Sequence, residues 1–129
     1  MRRISGICME ARRLQKRTRP DVVKSTTYEK LTGCENLYVT IGIDGGSPLE
    51  VFLTLGKSGG CSACMNEALG RAISLGLKYG VPLEEYAKGL RGIRCDNPKI
   101  FPKDSRCLSC PDAISGVMEV FLDGKGKNP

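Results

Sequence analysis

A chain of 129 residues, 40% hydrophobic and 26% charged, has material for one core and none for a large catalytic barrel. It contains no histidine and no tryptophan, which excludes Ser/His/Asp and Cys/His nucleophiles, imidazole proton shuttles and histidine-ligated zinc or haem. The net charge of +6 sits at one end: up to Lys30 there are nine Lys and Arg against Glu10, Asp21 and Glu29, and the remainder carries eleven of each sign.

Residues 1–18 read as a basic arm. Ile4, Ile7, Ala11 and Leu14 fall at helical spacing among Arg2, Arg3, Arg12, Arg13, Lys16 and Arg17, which suggests a short amphipathic helix ended by Pro20. Such an arm suits a polyanion, nucleic acid among them, although a solvated surface is the commoner role of a charge run. Residues 19–122 read as the domain and residues 123–129 as a flexible tail.

Asn36 to Ile43 and Leu49 to Leu55 alternate in the manner of strands, and the glycines of Asp44-Gly45-Gly46-Ser47-Pro48 between them predict a hairpin turn. After Leu55 the period changes. Met65, Leu69, Ala72, Ile73 and Gly76 share one face of a helix from about Ser62 to Tyr79, stopped by Gly80 and Pro82. A second helix spans Leu83 to Leu90, with Glu84 and Glu85 in its first turn, where negative charge complements the helix dipole. A loop follows from Gly92 to Leu108, and Pro111 opens a last helix through about Leu122. The order predicts an α+β domain: a small hairpin sheet packed against one long and two shorter helices, with cysteines at the element ends.

Seven cysteines are many for this length, but their number is odd, and no apolar stretch near the N-terminus is long enough for a signal peptide or elsewhere for a membrane span. The expected setting is cytoplasmic and reducing, where clustered cysteines suggest metal or redox chemistry before disulfides. Cys34 precedes the first strand of the hairpin, Cys61 opens the long helix, Cys95 follows the short one and Cys110 precedes the last. Packing of these ends together would let the four converge. Two local pairs compete with that foursome, Cys61-x-x-Cys64 and Cys107-x-x-Cys110, although they stand further apart than in a usual zinc ribbon. Zinc and an iron–sulfur cluster would use the same thiolates, and unliganded buried thiols are the plain alternative.

Gly56-Lys57-Ser58-Gly59-Gly60 runs from a strand into a helix N-terminus, so Lys57, Ser58, Gly59 and Gly60 are candidates for a phosphate-binding loop. The spacing is not that of a Walker loop, and glycines that merely let Cys61 approach its partners explain the segment more simply.

In order, Thr32-Gly33-Cys34-Glu35-Asn36-Leu37-Tyr38-Val39-Thr40, LGKSGGC ending at Cys61, EALGRAISLGL, Gly92-Ile93-Arg94-Cys95 and Ser109-Cys110-Pro111-Asp112-Ala113-Ile114 resemble the TSCPD domain found near the C-terminus of adenosylcobalamin-dependent (class II) ribonucleotide reductases. Arg19-Pro20 and Ser25-Thr26-Thr27 resemble the segment leading into it. The resemblance, to small free-standing relatives above all, implies a foursome of Cys34, Cys61, Cys95 and Cys110, without Cys64 and Cys107. Leu108 stands where the namesake motif has threonine, a harmless departure. The implied role is a non-catalytic, zinc- or iron–sulfur-stabilised accessory or regulatory module of deoxynucleotide synthesis. Its partners would be a ribonucleotide reductase, a nucleotide or a second copy of itself, and not a membrane. A nucleotide- or nucleic-acid-sequestering protein using the GKSGG loop and the arm is the second reading, and a thiol redox module using Cys107 and Cys110 the third.

Overall fold

The computed structural model describes residues 14–33, 35–56, 60–101 and 106–127. Among these, Lys24–Leu31 (β1), Asn36–Asp44 (β2) and Ser47–Leu55 (β3) form an antiparallel sheet in the order β1-β2-β3, followed by helices Gly60–Lys78 (α1), Leu83–Leu90 (α2) and Cys110–Lys127 (α3). The α+β expectation holds, with one strand more than the alternation pattern indicated.

The β2–β3 turn is tighter than the five-residue linker suggested. Gly45 and Gly46 take φ of +63° and +81°, so two residues suffice, in the left-handed conformation a primed hairpin turn demands. Side chains alternate across the sheet. Leu37, Val39 and Ile41 of β2 and Val51, Leu53 and Leu55 of β3 point to one face, where Ile73 and Leu77 of α1, Leu83 and Ala87 of α2, and Ile114, Val117, Met118 and Phe121 of α3 close the core. The opposite face carries Thr27, Thr40 and Phe52 side by side and has no helical layer among the described residues.

The buried stripe of α1 is Asn66, Gly70, Ile73 and Leu77, not the Met65–Leu69–Ala72–Ile73–Gly76 face read from apolar spacing; Met65 is 66% exposed. Gly70 is the reason for the rotation. A methyl group there would stand 3.2 Å from the Val51 carbonyl oxygen, so only glycine lets the helix lie this close to β3. The helix also carries Ser74 to the strand, where its hydroxyl donates to the Val51 carbonyl at 3.0 Å and accepts the Val51 N–H at 2.9 Å. The outer edge of β3 is thereby satisfied at that residue.

Helix α3 continues to Lys127, so residues 123–127, expected in a tail, belong to the helix. Residues 14–20 are not helical, and the Leu14 expected on an apolar face is 67% exposed; the other helix positions, Ile4, Ile7 and Ala11, lie outside the described residues. Instead the segment is pinned across the hairpin end of the sheet. The Arg17 N–H bonds the Lys78 carbonyl, its guanidinium reaches the carbonyls of Asp44 and Pro48, and Arg19 grips Glu50 at 2.8 Å. Glu50 is only 4% exposed, so it needs that cation.

Candidate functional site

The turn between β1 and β2 contains Thr32, Gly33, Cys34 and Glu35. The Thr32 hydroxyl donates to the Glu35 carbonyl at 2.8 Å and accepts the Glu35 N–H at 3.2 Å, which closes the turn on itself. Asn97 then donates its side-chain amide to the Gly33 carbonyl at 2.7 Å. A Cβ on Gly33 would collide with the Asn97 backbone carbonyl, so glycine is what brings this turn against the 95–97 segment. The end of β3 lies here too, with the Gly56 N–H on the Asn36 carbonyl at 2.8 Å.

Ser109 is the N-cap of helix α3. The Ser109 hydroxyl accepts the Asp112 N–H at 3.1 Å, and the first helical bond runs from the Ala113 N–H to the Ser109 carbonyl. The Asp112 carboxylate, three residues on, takes the N–H groups of Gly92 at 2.9 Å and Leu108 at 3.1 Å. Ser109 also donates to the Ile93 carbonyl, and the Cys95 N–H bonds the Leu108 carbonyl at 3.1 Å. The Ser-Cys-Pro-Asp run therefore serves as a clasp that holds the Gly92–Cys95 segment against the helix N-terminus. Leu108 contributes its backbone N–H and carbonyl to this clasp, so these bonds do not depend on which side chain stands there. The functional weight of Ser109, Asp112 and Asn97 was missed in the sequence, although S-x-x-D before an apolar run is a capping signal.

The thiols differ in environment. The Cys95 sulfur is half-buried; it accepts the Asn97 N–H at 3.3 Å and lies 3.3 Å from the Leu108 carbonyl. Cys110 is half-buried at the first residue of α3. Cys107 is buried, paired through its backbone with Lys99, and donates its S–H to the Ser109 carbonyl. Burial pushes the Cys107 thiol up, which holds it neutral in the metal-free protein. Cys61 and Cys64 are exposed on the first turn of α1.

Of the expected metal foursome, Cys34 lies outside the described residues, as do Lys57, Ser58 and Gly59 of the expected phosphate loop. Among the described residues, no three Cys, Asp or Glu side chains stand close enough to hold a metal ion. Those residues bring the chain on either side of Cys34 together with the segments carrying Cys95 and Cys110. Cys61 begins a helix five residues beyond Gly56, at the same end of the sheet. A donor set of thiolates without imidazole is suited to zinc or an iron–sulfur cluster.

A groove of about 850 Å³ adjoins this end. It runs between β3 and the outer side of α1, lined by Phe52, Thr54, Cys64, Leu75, Lys78 and, from the N-terminal segment, Lys16. Gly60, the last residue of the expected phosphate loop, opens onto it.

The fold defines a small α+β module, a three-stranded antiparallel sheet with three helices. The chain belongs to the TSCPD domain family, whose model matches residues 10–122. Its curated relatives are B12-dependent ribonucleotide reductases. The enzyme of Bradyrhizobium diazoefficiens is 37% identical over 68 residues, which is 52% of this chain and 5% of that protein. That of Rhodopirellula baltica is 33% identical over 66 residues, 50% of this chain and 6% of the other. That of Streptantibioticus cattleyicolor is 47% identical over 45 residues, 35% of this chain and 8% of the other. The matched stretch is thus a small part of each reductase. No solved structure matches. Among the described residues no helix is long and apolar enough to cross a membrane.

Proposed function

We propose that this chain is a non-catalytic accessory or regulatory module of deoxynucleotide synthesis, stabilised by one metal centre on Cys34, Cys61, Cys95 and Cys110. The observation that carries the reading is the pair of clasps at one end of the sheet: Asn97 on Gly33, next to Cys34, and Asp112 on Gly92 and Leu108, around Cys95 and Cys110. Zinc is the favoured ion, with an iron–sulfur cluster as the alternative; either would cross-link the ends of elements that share one modest core. The partner in this reading is a B12-dependent ribonucleotide reductase, and the setting is cytoplasmic. The test is elemental analysis with the ultraviolet–visible spectrum of protein purified without oxygen. One zinc per chain in a colourless protein is expected, lost in Cys95→Ser and Cys110→Ser and kept in Cys64→Ser and Cys107→Ser. Metal-free protein as stable as the untreated one, or greater loss on changing Cys64 or Cys107, overturns it.

The groove favours a second reading, a nucleotide-binding module. Its lining offers an aromatic ring, Phe52, and, at the end near the GKSGG loop, the first turns of α1; the Lys16 and Lys78 cations stand at the other end of the groove, a helix length away. A base would lie on the ring while phosphate paired with Lys57 and the loop N–H groups. Calorimetry with ribo- and deoxyribonucleotides tests it. Binding weakened by about 1–3 kcal/mol in Lys57→Ala supports it, the range of a charge-assisted bond, and no heat at millimolar nucleotide rejects it.

A further inference from the structure

The two edges of the sheet are treated differently. On the β3 side, α1 lies close enough for Ser74 to satisfy both backbone groups of Val51. On the other side, β1 pairs only with β2 among the described residues, and all eight of its residues are exposed except Tyr28, which is half-buried against the core. The pairing of β1 with β2 is continuous from Lys24↔Ile43 to Leu31↔Asn36, with no bulge. A long, regular edge without a bulge is a template for another strand, and proline, the usual blocker, is absent from KSTTYEKL.

We infer that β1 pairs antiparallel with β1 of a second copy, joining two sheets into one of six strands. A two-fold axis places one residue of the strand opposite itself, so the candidate registers are few. Centring on Thr27 sets Lys24 against Lys30, and centring on Glu29 sets Glu29 against itself; like charges directly opposite are unfavourable. Centring on Thr26 pairs only Lys24 to Tyr28. Centring on Tyr28 pairs Ser25 through Leu31 with no like charges opposed: Thr27 meets Glu29, Thr26 meets Lys30 and Ser25 meets Leu31. It also sets the Tyr28 rings of the two copies together on the side of the sheet that bears Leu37, Val39 and Ile41, so the apolar face runs on across the axis. A strand that suits itself in a single full-length register favours a second copy over an unrelated strand.

The test is sedimentation of the full chain over a range of concentrations, in reductant so that no disulfide contributes. Wild type is expected to show a monomer–dimer equilibrium. Thr26→Lys puts lysine opposite Lys30 twice per dimer and should weaken dimerisation about tenfold, while Thr26→Glu creates two opposite-charge pairs and should tighten it. Circular dichroism and melting of dilute samples confirm that both variants keep the fold. A wild-type chain monomeric up to millimolar concentration, or a dimer that responds equally to both variants, overturns the register and the interface.

Discussion

Ser74 and Gly70 act together on the β3 edge, and each is separately testable. Ser74→Ala leaves the N–H and carbonyl of Val51 without the hydroxyl that both use, and should cost about 1–3 kcal/mol in denaturant unfolding. Gly70→Ala puts a methyl group 3.2 Å from the Val51 oxygen and 3.4 Å from Leu53, against backbone that cannot yield cheaply. It should destabilise despite the gain in helix propensity, and an unchanged midpoint would show that α1 can back away. Arg19 and Arg71 make a matched pair of ion-pair tests. Arg71 bonds Glu67 on an exposed helix face, whereas Arg19 is the partner of a carboxylate with almost no access to water. Thermal unfolding should therefore drop clearly in Arg19→Met and hardly at all in Arg71→Met.

At the scale of elements, the clasp at the start of α3 is the joint on which the cysteine loops depend. Asp112→Asn keeps the shape but gives up a charged acceptor that serves two backbone donors. A loss of about 1–3 kcal/mol is expected, with faster hydrogen exchange at Gly92 and Leu108. Leu108→Thr should change little, because the clasp uses its backbone. The thiols should separate by reactivity in metal-free protein: Cys61 and Cys64 alkylate first, and Cys107 last, since it is both buried and held protonated. The hairpin, α1 and α2 were legible in the sequence because period-2 and period-3.6 patterns follow directly from burial, and Gly45-Gly46 and Pro82 mark their ends. Strand β1 was not, because exposure on both faces leaves KSTTYEKL without any alternation to read. The face of α1 was misjudged for a related reason. Apolar spacing assumes that contact is made by large side chains, whereas here it is made by glycine, serine and asparagine. Of the candidate site, the element-end placement of Cys95 and Cys110 could be read, but not the long-range partners of the side chains that fasten those ends, Asn97 to Gly33 and Asp112 to Gly92, because neither bond leaves a periodic signal.

For the molecule as a whole, the N-terminal segment is divided between chain that is fastened to the sheet and chain that lies outside the described residues. A chain lacking residues 1–13 gives the reference midpoint, since it keeps every described contact of the segment. Removal of residues 1–18 also deletes Arg17, with its bonds to Asp44, Pro48 and Lys78, and should cost a further 1–3 kcal/mol or about that much. Equal midpoints for the two truncations would show that Arg19 alone holds the segment.

The route of the chain through the Asp112 clasp also sets an order of assembly. Strands β1, β2 and β3 and helix α1 each pack on their neighbour in sequence, so that half can form through short loops. The clasp must wait, because Gly92 and its acceptor are twenty residues apart and α3 follows the other described elements in the chain. Until α3 docks, the Gly92–Cys95 segment lacks its anchor and its thiol is open to solvent. The Cys95 thiol should therefore react faster with an alkylating reagent on chains that lack α3 than on the whole domain, and that interval of reactivity closes when α3 docks.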